Sequence, residues 1–452
     1  MPEPGQIVTS ASVLDIREFI DQRPVGRYQL MAAVMCGLIV SVDGFDAQAM
    51  GYVAPALTAA LHIPRSVLGS VISTGLVGMM IGALLSGPVA DRVGRKPVLV
   101  VSALIFGVGS LFTATAQSVE ALIAFRVLTG LGMGGAMPNA IALTSEYMPR
   151  RRRATAVIAM ICGFSLGAAV GGFVAAALIP RFGWQSVFVV GGVVPILIAA
   201  AAFFLLPESI RFLLVKGGED ARARRYLTRM APDAVLPSKL SPGLDEQPSS
   251  GGVFVVKQLF TDGRAAATVL IWVVYFMNLL NLYFLTSWLP TIVSDAGIPV
   301  RTAILLTSLF QVGGIGGALV LGRVLDRYFS FWVLAGCYLW AAACVFLIGR
   351  LGASVPMLAL MIACAGLGII GGQNASHALT ADVYPTRIRS TGVGWALGIG
   401  RIGSIIGPII GGQLLVRGTA IHQVFWAAAV PAIIAAGSAA AVSVLLRRGA
   451  SR

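Results

Sequence analysis

Charge is scarce in this sequence. Only 12% of its 452 residues are Asp, Glu, Lys or Arg, about half the share of an ordinary soluble domain. With 57% of the residues hydrophobic, a water-soluble fold would leave a large apolar surface uncovered, and that class is excluded. Histidine is present three times and cysteine five times. Cys36, Cys162, Cys337, Cys344 and Cys364 form no CxxC pair, so neither a disulfide framework nor a zinc site is expected. No short apolar core with a small-residue cleavage site precedes the first long apolar run, and residues 1–27 read as a retained cytoplasmic tail. A catalytic triad is also missing, which argues against an enzyme.

What is abundant is the apolar run of roughly 20 residues, the length that crosses a hydrocarbon core of about 30 Å. Because lipid offers the backbone no hydrogen bonds, such runs must close their own, and their Ala, Leu, Gly and Val content favours helices over barrel strands. The expected fold is all-α with twelve spans near 28–54, 66–90, 97–116, 118–147, 154–178, 184–206, 265–293, 302–325, 331–349, 354–382, 390–415 and 422–446. The polar stretch 207–264 reads as a cytoplasmic connector between bundles 28–206 and 265–446, with a short amphipathic helix around 219–230, and 447–452 as a cytoplasmic tail.

The net charge of +14 does not point to nucleic acid, because its distribution follows the spans. Placing both termini in the cytoplasm leaves Arg65, Arg181, Arg301, Arg350 and Arg417 outside, Arg126 and Arg401 within spans, and the other basic residues inside. The run Arg150–Arg153 is then a topology anchor in a bacterial inner membrane.

The halves repeat. ALTSEYMPRRRRATAV (142–157) and ALTADVYPTRIRSTGV (378–393) agree at 8 of 16 positions, and Gly87-x3-Asp91-Arg92 is echoed by Gly322-x3-Asp326-Arg327. Two parallel six-helix repeats place a substrate site between them near mid-membrane.

Several motifs carry chemistry. Gly87–Lys96 reads GPVADRVGRK, a GxxxDRxGRK loop; Gly87 and Gly94 are expected to permit a tight turn while Asp91, Arg92 and Arg95 pair with neighbouring helix ends and part when that side opens. Asp43 and Asp46 lie three residues apart in the first span, on one face of an apolar helix. Ionisable groups there are expensive, and two adjacent carboxyls favour protonation of at least one, as a proton carrier requires. Arg126, in RVLTGLGMGG, lies at a similar depth to Asp46, about 12 Å from the outer end at 1.5 Å per residue. An ion pair between them is expected, with Arg126 or Arg401 as the cation for a substrate carboxylate. Asn278, Asn281, Gln373, Asn374 and His377 are candidate cavity residues, and Phe45, Tyr275, Tyr283 and Trp288 candidate stacking partners for a ring. Glu146 and Asp382, equivalent in the repeats, are candidates for gate pairing with nearby arginines, Glu146 also for proton coupling. GIGRIG (398–403) satisfies GxGxxG, but no strand precedes it; GFSLG (163–167) spells a nucleophile elbow. Gly163, Gly167 and Gly171, matched by Gly403, Gly407 and Gly411, are better read as close helix packing.

Together LDIREFIDQRPVGRYQ, DGFDAQAMGYVAPAL, GPVADRVGRK, RVLTGLGMGGAMPNA, LPESIRFL, YFLTSWLPT and YPTRIRSTGVGWALGIGRIG resemble the aromatic acid:proton symporter family of the major facilitator superfamily, which includes 4-hydroxybenzoate and protocatechuate transporters. The resemblance implies a twelve-helix fold and import of small aromatic carboxylates (4-hydroxybenzoate, protocatechuate or benzoate) by alternating access. The proton gradient would be the driving force, with no cofactor and no metal. It assigns importance to Asp43, Asp46, Gly87, Asp91, Arg126, Glu146, Arg389 and Arg401. Another organic acid, such as muconate or a sugar acid, and an efflux antiporter are the alternatives.

Overall fold

The computed structural model describes residues 13–216, 220–230, 239–241, 257–261, 263–328, 330–351, 354–385 and 388–450. Twelve of its helices are long and apolar enough to cross a membrane, and the protein is a multi-pass membrane protein. In the first half these are α2 (Arg27–Leu61), α3 (Arg65–Val93), α4 (Arg95–Ala114), α5 (Val119–Tyr147), α6 (Arg150–Phe182) and α7 (Gln185–Leu205). The second half has α10 (Ala265–Asp295), α11 (Val300–Arg327), α12 (Phe331–Ile348), α13 (Val355–Val383), α14 (Arg389–Val416) and α15 (Ile421–Ala450). The expected spans match these closely except the first. It was expected to end at 54, yet α2 continues through Pro55 to Leu61. Ala54 and Leu57 on either side of Pro55 are completely buried, and α3, α5 and α10 likewise continue through an internal proline.

The remaining elements lie outside the spans. Helix α1 (Ile16–Asp21) precedes α2, and α8 (Ile210–Lys216) and α9 (Asp220–Met230) belong to the connector; α9 is the expected amphipathic helix. Strand β1 (Val13–Asp15) pairs in parallel with β2 (Lys239–Ser241), a contact no sequence pattern announced. Ile16, Phe19 and Ile20 of α1 share one hydrophobic cluster with Ile210, Leu213, Ala223 and Leu227. The connector is thereby docked on the first half. Within the connector, residues 217–219, 231–238, 242–256 and 262 lie outside the described residues, as do the first twelve residues and 451–452.

The two six-helix halves repeat each other's packing. In the first, α2 packs on α6, α3 on α5, and α4 on α5 and α7; in the second, α10 packs on α14, α11 on α13, and α12 on α13 and α15. The regularly spaced glycines make these approaches possible. A Cβ at Gly167 would run into the carbonyl of Ser41 on α2, and one at Gly403 into the carbonyl of Phe276 on α10.

The halves face each other as two layers, α3–α2–α6 against α14–α10–α11, meeting in three seams: α3 with α14, α2 with α10, and α6 with α11. At the end carrying the α2–α3 turn, one hydrophobic cluster runs across both halves, from Met50, Tyr52 and Leu68 to Trp288, Ile304 and Phe310. Arg65 and Asp295 join the halves there at 2.7 Å, and Ser73 Oγ donates to the Ile405 carbonyl at 2.6 Å. Toward the opposite end the core splits: one cluster lies almost wholly in the first half and another wholly in the second. The bundle is sealed at one end and parted at the other.

Candidate functional site

A cavity of about 170 Å³ lies where the seal ends. Arg401, one helical turn from Ile405 on α14, lines it, and its Nη1 lies 3.4 Å from the thioether of Met79 on α3. Among the described residues no carboxylate reaches ion-pair distance of this guanidinium. Helix α13 contributes Gln373, Asn374 and His377. Asn278 on α10 donates to Gln373 Oε1 at 2.5 Å, Gln373 Nε2 lies 3.2 Å from His377 Nε2, and His377 Nδ1 lies 3.0 Å from the Tyr275 hydroxyl. With the Gln373 amide as donor to Nε2, the imidazole is the neutral Nδ1–H tautomer. Asn374 Nδ2 donates to the Ile370 carbonyl at 3.1 Å. Tyr283 lines the cavity, whereas Trp288 belongs to the seal, its indole donating to the Pro408 carbonyl at 2.8 Å. Asn281 does not line it; it is buried with neither amide atom partnered.

The carboxylates of the first span occupy a separate place. Asp46 Oδ2 receives Arg126 Nη2 at 2.6 Å, and Oδ1 receives the Ser110 hydroxyl at 3.0 Å. Arg126 stands over the Phe188 ring, 5.6 Å from its centroid. Asp43 is completely buried, and neither of its oxygens has a hydrogen-bond partner. The charges bearing on it are those of Arg401 and Asp46. Local packing explains how these groups come so deep. A Cβ at Gly44 would overlap the Phe164 carbonyl, so the glycine between the two aspartates lets α2 lie directly on α6. Neither aspartate lines the cavity. Nor does Phe45, whose ring lies against Gly171 on α6 and Gly191 on α7; a stacking role for it in the cavity does not fit this arrangement.

At the parted end, Arg95 Nε donates to Glu146 Oε1 at 3.0 Å, and Ser209 also donates to Glu146. The tight turn of the GxxxDRxGRK loop falls at Gly94 alone, with φ of 103°. Gly87 is inside α3 and faces open space, which corrects the expectation that it makes the turn; α3 simply continues to Val93. Around Gly94 lies a residue that sequence reasoning missed. Glu208 accepts from the backbone N–H groups of Arg95 at 2.8 Å and Lys96 at 3.2 Å, so an anion caps the start of α4. Its signal was available in LPESIRFL, an acid just beyond the end of a span. Asp91, Arg92, Asp326 and Asp382 are exposed, and among the described residues none of them forms an ion pair or hydrogen bond. Asp382 therefore lacks the arginine partner that its repeat equivalent Glu146 has. Arg327 lies over the Tyr328 ring at 5.4 Å, and Arg389 Nε donates to the Tyr384 carbonyl at 3.4 Å.

Two pseudo-symmetric six-helix halves around a central cavity describe a transporter architecture, and the comparison with known families is decisive. Residues 36–271 and 271–451 both match the model for the Major Facilitator Superfamily. The chain belongs to that superfamily. Among its Major Facilitator Superfamily relatives, the 4-hydroxybenzoate transporter PcaK of Acinetobacter baylyi is 44% identical over 431 residues, covering 95% of this chain and 94% of that one. A gallate transporter of Pseudomonas putida is 38% identical, covering 94% of each. In structure the chain is similar to a bacterial homologue of the human lysosomal transporter Spinster in an inward-facing, occupied conformation. The TM-score is 0.73 at 16% identity, covering 94% of this chain and 99% of that one, a likeness of superfamily fold.

Proposed function

We propose that this protein imports small aromatic carboxylates, 4-hydroxybenzoate-like acids among them, in symport with protons across the bacterial inner membrane. Relatives that carry 4-hydroxybenzoate and gallate in their names support the substrate class. The observation that carries the reading is the unequal state of the two intramembrane arginines. Arg126 is held by Asp46, whereas Arg401 meets the cavity with only a thioether at its Nη1. A guanidinium facing such a cavity without a carboxylate of its own is the natural partner of one, which it binds through two parallel N–H donors. The cavity's size agrees, since about 150 Å³ of apolar space holds a benzene ring.

Protons are carried by the Asp43 and Asp46 pair. Asp43 is completely buried with neither oxygen hydrogen-bonded; an ionised carboxylate is costly in such a place, which suits this group to carry a proton. Asp46 exchanges between Arg126 and a proton as the halves rock. The distribution of basic residues supports a cytoplasmic parted end and cytoplasmic termini, and on that reading this is the inward-facing form. Arg95, Glu146 and Glu208 are bonded to one another while that end is parted, and all three belong to the first half, so they brace its rim and do not bridge the halves. One proton carried with one monovalent anion makes the cycle electroneutral, so the pH gradient and not the membrane potential drives it.

The test is uptake of labelled 4-hydroxybenzoate into proteoliposomes with an alkaline interior. Accumulation above equilibrium that collapses with a protonophore, and that benzoate and protocatechuate compete while muconate and gluconate do not, is the expected result. A vesicle that gathers no aromatic acid under the gradient overturns the reading.

A further inference from the structure

Two further glutamines face the cavity. Gln48 on α2 and Gln311 on α11 line the same cavity as Arg401. Both side chains are more than nine-tenths buried, with 4% and 3% of their surface exposed. Among the described residues neither amide has a hydrogen-bond partner. Unlike those of Asn281, the amide atoms of Gln48 and Gln311 are not sealed off, so they open onto the cavity and can bond to what fills it. Every other amide side chain at this level is satisfied or shut away: Gln373 and Asn278 bond each other, Asn374 bonds its own helix, and Asn281 is sealed off.

Their position follows from the seal above them. A Cβ at Gly172 on α6 would meet both the Ser308 hydroxyl and the Tyr52 ring, so these two side chains close the α6–α11 seam together. Gln48 lies one turn before Tyr52 on α2, and Gln311 one turn after Ser308 on α11, which runs in the opposite sense. Residues three and four apart share a helix face. The two amides therefore come next below the same closure. Arg401 belongs to the other flank, since it lies between α14 and Met79 of α3. The α3–α14 and α6–α11 seams lie on either side of the central α2–α10 pair, so the cation and Gln311 stand at opposite ends of the cavity.

We infer that Gln48 and Gln311 are a specificity site for a hydroxyl group on the ring, at a position remote from the carboxylate that Arg401 binds. A carboxylate is a poor fit to this end, since each amide presents an acceptor oxygen as well as a donor nitrogen. A phenolic hydroxyl is both donor and acceptor: it gives its proton to one amide oxygen and accepts from the other amide's N–H. Para and meta hydroxyls reach across the ring, whereas an ortho hydroxyl stays beside the carboxylate. A site built to bond a substrate hydroxyl discriminates against the analogue that lacks it, because its own polar groups are then left unpaired.

This inference rests on the aromatic-acid reading, and the experiment separates the two. Wild-type protein in proteoliposomes is offered labelled benzoate, 2-hydroxybenzoate and 4-hydroxybenzoate under the same pH gradient. The expected order is 4-hydroxybenzoate ahead by about tenfold or more in uptake efficiency, with 2-hydroxybenzoate close to benzoate. Gln311→Leu and Gln48→Leu should each bring the ratio of 4-hydroxybenzoate to benzoate efficiency down toward one. Equal handling of the three acids by the wild type overturns the inference without any variant. A ratio that survives both substitutions overturns it as well. If the wild type moves none of the acids, it is the proposed function that fails.

Discussion

Asp46 Oδ2 and Arg126 Nη2 stand 2.6 Å apart although eighty positions separate them in the chain. Both side chains are almost wholly shut from solvent, at 0% and 5% exposed. The other terminal guanidinium nitrogen, Nη1, is buried without a partner. Removing either charge strands the other in a medium that cannot solvate it, while protonating Asp46 has the same electrostatic effect reversibly. That equivalence connects a structural ion pair with a transport step.

Asp46→Asn should accordingly destabilise the protein by about 3–5 kcal/mol, the usual penalty for breaking a buried pair from one side. Thermal unfolding in detergent reads this as a lowered midpoint. The double variant Asp46→Asn with Arg126→Gln should recover part of the loss, because no charge is left unpaired. A double variant as unstable as the sum of the singles would show the two residues to be energetically independent.

Asp43→Asn is expected to behave differently. No hydrogen bond or ion pair is lost, since neither carboxyl oxygen has a partner, so the melting temperature should not fall. Gradient-driven accumulation should disappear while substrate counterflow across the vesicle membrane persists, because the amide cannot carry a proton. Undiminished accumulation by Asp43→Asn would remove this residue from the coupling mechanism.

Arg401→Lys keeps the charge and discards the planar pair of donors. An ammonium binds a carboxylate as a point charge, so KM for 4-hydroxybenzoate should rise by about tenfold or more with a smaller change in the maximal rate. The same KM in variant and wild type would transfer the carboxylate to another group.

Gly167→Leu should prevent proper assembly, since even a Cβ at this position overlaps the Ser41 carbonyl across the α2–α6 contact. Membrane abundance and monodispersity in detergent report it. Gly437→Ala, at a glycine of α15 with open space around it, should be tolerated or stabilising by about 0.5–1 kcal/mol through the helix propensity of alanine.

How much of this could be read without coordinates depends on whether a property is local. Membrane insertion depends on the summed hydropathy of neighbours in the chain, and eleven of the twelve spans lie close to their expected bounds. The exception, α2, runs past Pro55 to Leu61, as other spans here also run through an internal proline. Depth along the membrane is also nearly local. Counting from an expected end at 54 put Asp46 level with Arg126, and the two are paired in the structure although α2 itself runs on to Leu61.

The sequence by itself determined a lipid-embedded helical chain with an internal repeat, an acidic pair in the first span and two arginines within spans, because each is a property of composition or spacing. Which way each helix is turned was decided by the tertiary structure. Rotation about a helix axis is settled by close contacts with distant segments, such as Gly44 on Phe164 and Gly403 on Phe276. Those contacts turn Asp46 and Phe45 into the first half, leave Arg401 on the cavity wall, and bring Gln48 and Gln311 under one closure. A difference of 100° per residue separates a ligand from a core side chain, and no one-dimensional pattern fixes that angle.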